Sequence, residues 1–169
     1  MDESKLESIR DFTKFAPRFL IVRAKAGGVI PFELNRAQLY VHERLEAQRK
    51  ETGKVRAAIL KGRQQGVSTL IQARFFHKVI TKRGIKAFIL THEAEATKNL
   101  FEMTKRFYDN LEPGLCPVAD TSSAKELHFG TFDSGYSVGT AGNKGVGRAQ
   151  TIQLFHGSES GFWPNAEEH

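Results

Sequence analysis

The segment GRQQGVST (62–69) sets two glycines, a basic side chain and a hydroxyl pair directly behind the apolar run AAIL (57–60). Glycines let successive backbone N–H groups converge on phosphate oxygens, and the start of a following helix adds partial positive charge. The chemistry of such a turn is the cradling of a polyphosphate. The general pattern G-x-x-x-x-G-K-[ST] adds a lysine for the terminal phosphates and a hydroxyl for Mg²⁺. Here Gly62 and Gly66 stand one residue closer than that pattern requires, Val67 takes the lysine position and Ser68 the hydroxyl position. A cation from nearby can meet the same charge; Lys61 and Arg63 are both close along the chain, and Arg63, with its planar fork of donors, is preferred. Taken alone, the segment fits an ordinary strand-to-helix turn with solvated basic side chains equally well.

A phosphate turn needs a strand to end in it and a helix to begin from it. VRAAILK (55–61) is β-compatible, and 68–81 has helix length before Gly84. IKAFILT (85–91) forms a second apolar strand, followed by a helix in EAEATKNLFEMTKRFYDNLEP (93–113) with Leu100, Met103, Phe107 and Leu111 on one side. Two strand-then-helix units in a row predict a parallel sheet covered by helices. Upstream, residues 2–15 predict one amphipathic helix carrying Leu6, Ile9, Phe12 and Phe15, ended before Pro17. Gly27, Gly28 and Pro31 then predict a tight turn between two extended pieces, and Asn35 caps a helix through residue 51 that shows Ala37, Val41 and Leu45 to the core and stops at Gly53. Downstream, ELHFG (126–130), YSVGTA (136–141) and TIQLFH (151–156) are three further strand candidates.

The chain of 169 residues has the length of one domain with a real core. With 25 Lys+Arg against 19 Asp+Glu its formal charge is +6, which biases the surface toward polyanions and is equally compatible with a merely solvated basic face. A single cysteine, Cys116, excludes an intrachain disulfide and a cysteine-cluster metal site, and fits a reducing compartment and a buried structural thiol. The N-terminal segment lacks the apolar stretch of a signal peptide, and no apolar run reaches bilayer-spanning length, so the expectation is a soluble intracellular protein.

Several segments, taken in order, resemble the ATPase domain of the large terminase subunit, the motor that packages DNA into tailed-phage heads. IPFELNRAQ (30–38) is similar to that family's adenine-contacting segment, and LKGRQQGVST (60–69) to its deviant Walker A, K-x-R-Q-x-G-x-S-T. FILTHEAEATKNLFEMTKRFYDNL (88–111) is similar to the strand and helix that follow, and VGTAGNKGVGRAQTIQLFHGSESGFWPNAEEH (138–169) to the region leading into and through Walker B. The likeness covers nearly the whole chain. It implies a P-loop NTPase of RecA-like (ASCE) type, a three-layer α/β fold around a mainly parallel sheet, incomplete at its C-terminal end. On this resemblance the expected division is an N-terminal segment with the adenine motif over 1–54 and the P-loop core through Walker B over 55–169, with the family's nuclease domain expected to be absent from these residues. A sheet without its later strands exposes an edge and apolar surface.

Carried over residue by residue, the resemblance implies that Gln38 reads the adenine edge, since an amide both donates and accepts. Arg63 contacts the terminal phosphates, with Lys61, Gly62, Gln64, Gln65, Gly66 and Val67 forming the cradle, Ser68 offering its hydroxyl to Mg²⁺ and Thr69 the alternate. Glu159 is the catalytic base that orients and activates the attacking water. Ser158 replaces the aspartate that helps hold Mg²⁺, so the metal is held more weakly. Arg148, in the glycine-rich segment before the last strand, supplies an arginine finger or a DNA-backbone contact, a role that Lys144 shares, with a solvated loop equally open for both. Phe162 and Trp163 pack under the site or at a subunit contact, and His156 is structural. The implied cofactors are ATP and Mg²⁺. The implied partners are double-stranded DNA, a small terminase subunit, the portal protein and further copies of the full-length chain, in the cytoplasm of a bacterial host. Two other readings stay open: a helicase-like P-loop ATPase, which favours an ordinary Walker lysine and an Asp-Glu pair, and a degenerate nucleotide-binding or interaction module that has lost catalysis.

Overall fold

A computed structural model describes residues 3–142 and 151–164. The N-terminal stretch, expected as one helix, is two: α1 (Glu3–Arg10) and α2 (Phe12–Phe19). The break falls at Asp11, whose carboxylate accepts from the Thr13 N–H and caps the second helix. Pro17 lies inside α2 instead of ending it. All three phenylalanines of this helix serve the core: Phe12, Phe15 and Phe19 are buried. A hairpin follows, β1 (Ile21–Arg23) antiparallel to β2 (Val29–Pro31), with Gly27 and Gly28 at positive φ in its turn.

Helix α3 (Arg36–Thr52) begins with a capping box, in which the Asn35 side chain accepts from the Gln38 N–H and the Gln38 side chain accepts from the Asn35 N–H. It ends, as its sequence predicts, at a left-handed Gly53. Helix α4 (Val67–Thr81) and helix α5 (Ala94–Asp109) flank β3 (Lys86–Thr91) in the chain. The remaining strands are β4 (Thr121–Ser122), β5 (Glu126–Phe129), β6 (Ser134–Thr140) and β7 (Leu154–Gly157).

The main sheet has five strands in the order β4-β5-β6-β3-β7. Its architecture is α/β, but the sheet is mixed. β3 runs parallel to both β6 and β7, while β5 is antiparallel to β6 and to β4. The expected strand at 55–61 does not form: that segment has no ladder partner among the described residues, and Val55, Ile59 and Leu60 are exposed. A strand is stable only when a neighbour takes its N–H and C=O groups, and β7, the outer strand on that side, pairs with β3 alone among the described residues.

The core sits on one face of the sheet. Ala87 and Ile89 of β3 point into it together with Leu127, Phe129, Tyr136 and Val138 from the neighbouring strands. Leu70, Ala73, Phe76 and Val79 of α4, Phe101 and Phe107 of α5, and the α2 phenylalanines cover them. Phe88, one residue out of phase, points to the other face and stacks on Phe155. Helix α3 joins through a smaller cluster, Leu45 against Val67 and Ile71. It is also tied by the buried Arg74, which reaches Glu46 at 2.6 Å, meets the His42 ring and lies over the ring of Phe12. Burial works against the Glu46 carboxylate, but the Arg49 and Arg74 guanidiniums outweigh it and hold its pKa at about 2. Among the described residues no helix is long and apolar enough to cross a membrane.

Candidate nucleotide site

The loop between the exposed segment and α4 has an unusual backbone. Gln64 (φ 60°) and Gly66 (φ 72°) are both left-handed, with Gln65 between them not so, and α4 starts at the next residue. Alternation of handedness turns successive N–H groups toward one side, the geometry of an anion nest, and the first four N–H groups of a helix lack partners within it. A non-glycine residue held left-handed at Gln64 is a strained position of the kind that collects at binding sites. Lys61, Gly62, Arg63, Gln64 and Gln65 are exposed, while Gly66, Ser68 and Thr69 are half-buried. Val67 is buried against Leu45 and Ile71, so the position that carries lysine in the general pattern serves packing here; its N–H stays in the first turn of α4.

Gln38 departs from expectation. It is 3% exposed, its Oε1 accepts from the Asn35 N–H at 2.9 Å, and its Nε2 donates to the Gly66 carbonyl at 2.8 Å. An amide expected to face a base is committed within the chain, because the capping box that starts α3 aims it at the loop.

The carboxylate lies where the sequence places it, just beyond the last strand. The Ser158 N–H donates to Leu90 O at 2.8 Å, continuing the pairing of β7 with β3 by one residue. Glu159 follows in the left-handed region (φ 55°), a second strained non-glycine residue, and a 3-10 turn over Ser160–Phe162 closes behind it. Trp163 folds back so that its indole N–H donates to Ser158 O at 3.1 Å, and its ring covers Gly157 so closely that a Cβ there would lie 2.9 Å from it. Trp163 thus packs under the turn, as one of the expected alternatives has it. Phe162 is 76% exposed, with its ring 5.8 Å from that of His92.

The loop and the carboxylate stand at the same edge of the sheet. Val79, late in α4, accepts from Ser134 at the start of β6, whereas Gln72, earlier in α4, meets His156 near the end of β7 at 3.4 Å. Helix α4 therefore runs antiparallel to the parallel strands, and its N-terminal end points the way their C-terminal ends do. From Gln72 back to Val67 is about 7 Å of helix and from His156 on to Glu159 about 10 Å of extended chain, which brings both to one rim. This rim, outside the carboxyl ends of parallel strands, is where α/β sheets bind ligands. Burial first, and the nearby Lys61 charge second, push the His156 imidazole down to about 4, so the ring is neutral at neutral pH.

Two residues at this rim were not anticipated. His92, directly after β3, places Nδ1 3.0 Å from Glu159 Oε2, an ion-pair distance without the alignment of a good hydrogen bond, and its Nε2 lies 3.4 Å from Glu93. The signal that could have found it is its position at the end of an apolar strand. Lys25, on the β1–β2 turn, donates to Gln64 Oε1 at 3.3 Å and adds a third cation beside the loop; nothing local in its sequence points there. Arg148 and Lys144 lie outside the described residues. Among the described residues no group of three or more His, Cys, Asp or Glu side chains could hold a metal ion by itself. Compared with known proteins, the chain matches no family model and no curated protein.

Proposed function

We propose that this chain is the nucleotide-binding part of a P-loop motor ATPase of the terminase large-subunit type, taking ATP with Mg²⁺ and acting on double-stranded DNA within a larger assembly. The observation that carries the reading is the loop at 62–66, left-handed at Gln64 and Gly66 and opening α4, at the same rim as Glu159. In this reading the N–H groups of the loop and of the first turn of α4 hold phosphate oxygens. Arg63, with Lys61 and Lys25 nearby, meets their charge in place of a Walker lysine. Ser68 is suited to a hard cation by its hydroxyl oxygen, and with Ser158 as the other oxygen donor the ion relies on phosphate oxygens for most of its shell. The metal, when bound, neutralises charge on the phosphates. Glu159, half-exposed and held by the turn around Trp163, accepts the proton of an attacking water, with the His92 ring 3.0 Å from its carboxylate.

The RecA-like assignment rests on β3 and β7 lying parallel and adjacent with α4 antiparallel to them. The unformed strand at 55–61 and the two replaced positions, Val67 and Ser158, favour a second reading, a nucleotide-binding module without turnover. Titration with a fluorescent ATP analogue, with and without Mg²⁺, beside Arg63→Ala separates them when followed by phosphate release with DNA present. Binding lost in the variant supports the phosphate loop. Binding without turnover selects the second reading, and no binding by the folded wild type removes both.

A further inference from the structure

We infer that Asn35 and Gln38 are positioning residues that orient the phosphate loop, and that Gln38 does not read the base; this rests on the nucleotide reading above. The two residues bond each other reciprocally, Asn35 N–H to Gln38 Oε1 and Gln38 N–H to Asn35 Oδ1, each at 2.9 Å. Their remaining donors both reach the loop. Gln38 Nε2 donates to Gly66 O at 2.8 Å, and Asn35 Nδ2 to Gln65 O at 3.4 Å. A Cβ on Gly66 would lie 2.6 Å from Gln38 Nε2, so the close approach exists only because that residue is glycine.

The consequence follows from the planar trans peptide, in which C=O and the next N–H point in opposite directions. Drawing the Gln65 carbonyl toward α3 turns the Gly66 N–H away from it, and the Gly66 carbonyl, shared between Gln38 Nε2 and the first helical bond from the Leu70 N–H at 3.0 Å, fixes the Val67 N–H through Gln38 and α4 together. Those are two donors that a phosphate receives at the mouth of α4. Gln38 retains one N–H and one lone pair, but at 3% exposure neither is open to a base. The clamp therefore governs affinity for the polyphosphate common to all nucleoside triphosphates, leaving base selection to other residues.

The test titrates wild type, Gln38→Ala and Asn35→Asp with ATP, GTP and inorganic tripolyphosphate by calorimetry, and follows hydrogen exchange across 62–67 without ligand. Asn35→Asp keeps the helix cap while removing the donor to Gln65 O, so it serves even where Gln38→Ala unfolds α3. The expected result is faster loop exchange in both variants and a loss of roughly tenfold for Gln38→Ala, equal for all three ligands, with the ATP-to-GTP ratio unchanged. Loss confined to ATP, with tripolyphosphate unaffected, overturns the inference in favour of base reading. Unchanged loop exchange overturns the clamp whatever the ligands do. A wild type that binds none of the three, with loop exchange still clamp-dependent, removes the nucleotide reading and with it the clamp's role in binding.

Discussion

The loop at 62–66 and the carboxylate turn at 157–163 share a rim and are held in different ways. The loop's named side-chain bonds come from far along the chain: Gln38 and Asn35 are 28 and 30 residues from the carbonyls they hold, and Lys25 is 39 from Gln64. The carboxylate turn is closed by its own residues, Trp163 folding back five residues onto Ser158, and anchored on the central strand by the bond from Ser158 N–H to Leu90 O. A turn closed locally and anchored on β3 does not depend on a distant helix start, whereas the clamped loop loses its shape when one is altered. In the proposed enzyme the base therefore depends on β3 and Trp163, and the phosphate site on α3.

The largest expected effect breaks the turn's side of the comparison. Glu159→Gln keeps the size of the side chain and removes proton acceptance, so turnover falls by about 10²–10⁴ while ATP-analogue binding stays at the wild-type level. Phosphate-release kinetics beside a binding titration check this, and turnover retained in the variant places the base elsewhere. His92→Ala, which leaves the carboxylate but removes its 3.0 Å neighbour, lowers turnover by less.

A paired glycine substitution sharpens the contrast. Gly66→Ala meets Gln38 Nε2 at 2.6 Å and also forces a side chain into φ 72°, and its cost in urea unfolding is about 1–3 kcal/mol. Gly157→Ala meets the Trp163 ring at 2.9 Å and Phe155 at an ordinary 3.5 Å contact, at a position without positive φ, and costs less. Equal losses would erase the distinction between the clamped loop and the turn closed by Trp163.

Smaller again is the effect on the loop's cation. Arg63→Ala weakens ATP binding by about tenfold, roughly 1.4 kcal/mol, and Lys61→Ala by less; equal or reversed effects in the titration remove Arg63 as the replacement for the Walker lysine.

The smallest effect concerns pH and lies outside both segments. Burial first, with the charges of Arg74 and Lys61 second, pushes His42 and His156 down to about 4 from an unfolded value near 6.5. Between those values the unfolded chain binds more protons, so stability present above pH 6.5 declines as pH falls through the window and levels off below about 4 for these groups. Urea midpoints across the window measure it, and a midpoint that rises on acidification reverses the assigned sign. The Glu46 ion pair begins to be lost only below its ordinary value of 4.5.

Much of this was legible. The caps at Asn35 and Gly53, the hairpin at Gly27 and Gly28, the helix after Gly66 and the run into Glu159 all follow from residues adjacent in sequence. The single N-terminal helix failed because Asp11 competes as a cap, a local hydrogen bond that apolar spacing does not register. The strand at 55–61 failed because β-propensity describes a surface suited to pairing and cannot supply the partner. Gln38 was singled out on its chemistry, yet its use depends on what the fold sets in front of it.

Sequence alone determined where the chain turns, caps and buries an apolar face, since φ preferences and bonds within three or four residues are settled before any long-range contact forms. It also determined the chemical types at the candidate site: glycines, cations, hydroxyls and one carboxylate. Only the tertiary structure decided that the sheet is mixed, that His92 stands against Glu159, that Val67 packs instead of reaching a phosphate, and that the amide of Gln38 is drawn to the loop. Each of these depends on which distant group fills a hydrogen-bond or packing vacancy, and that choice is made when the helices close over the sheet.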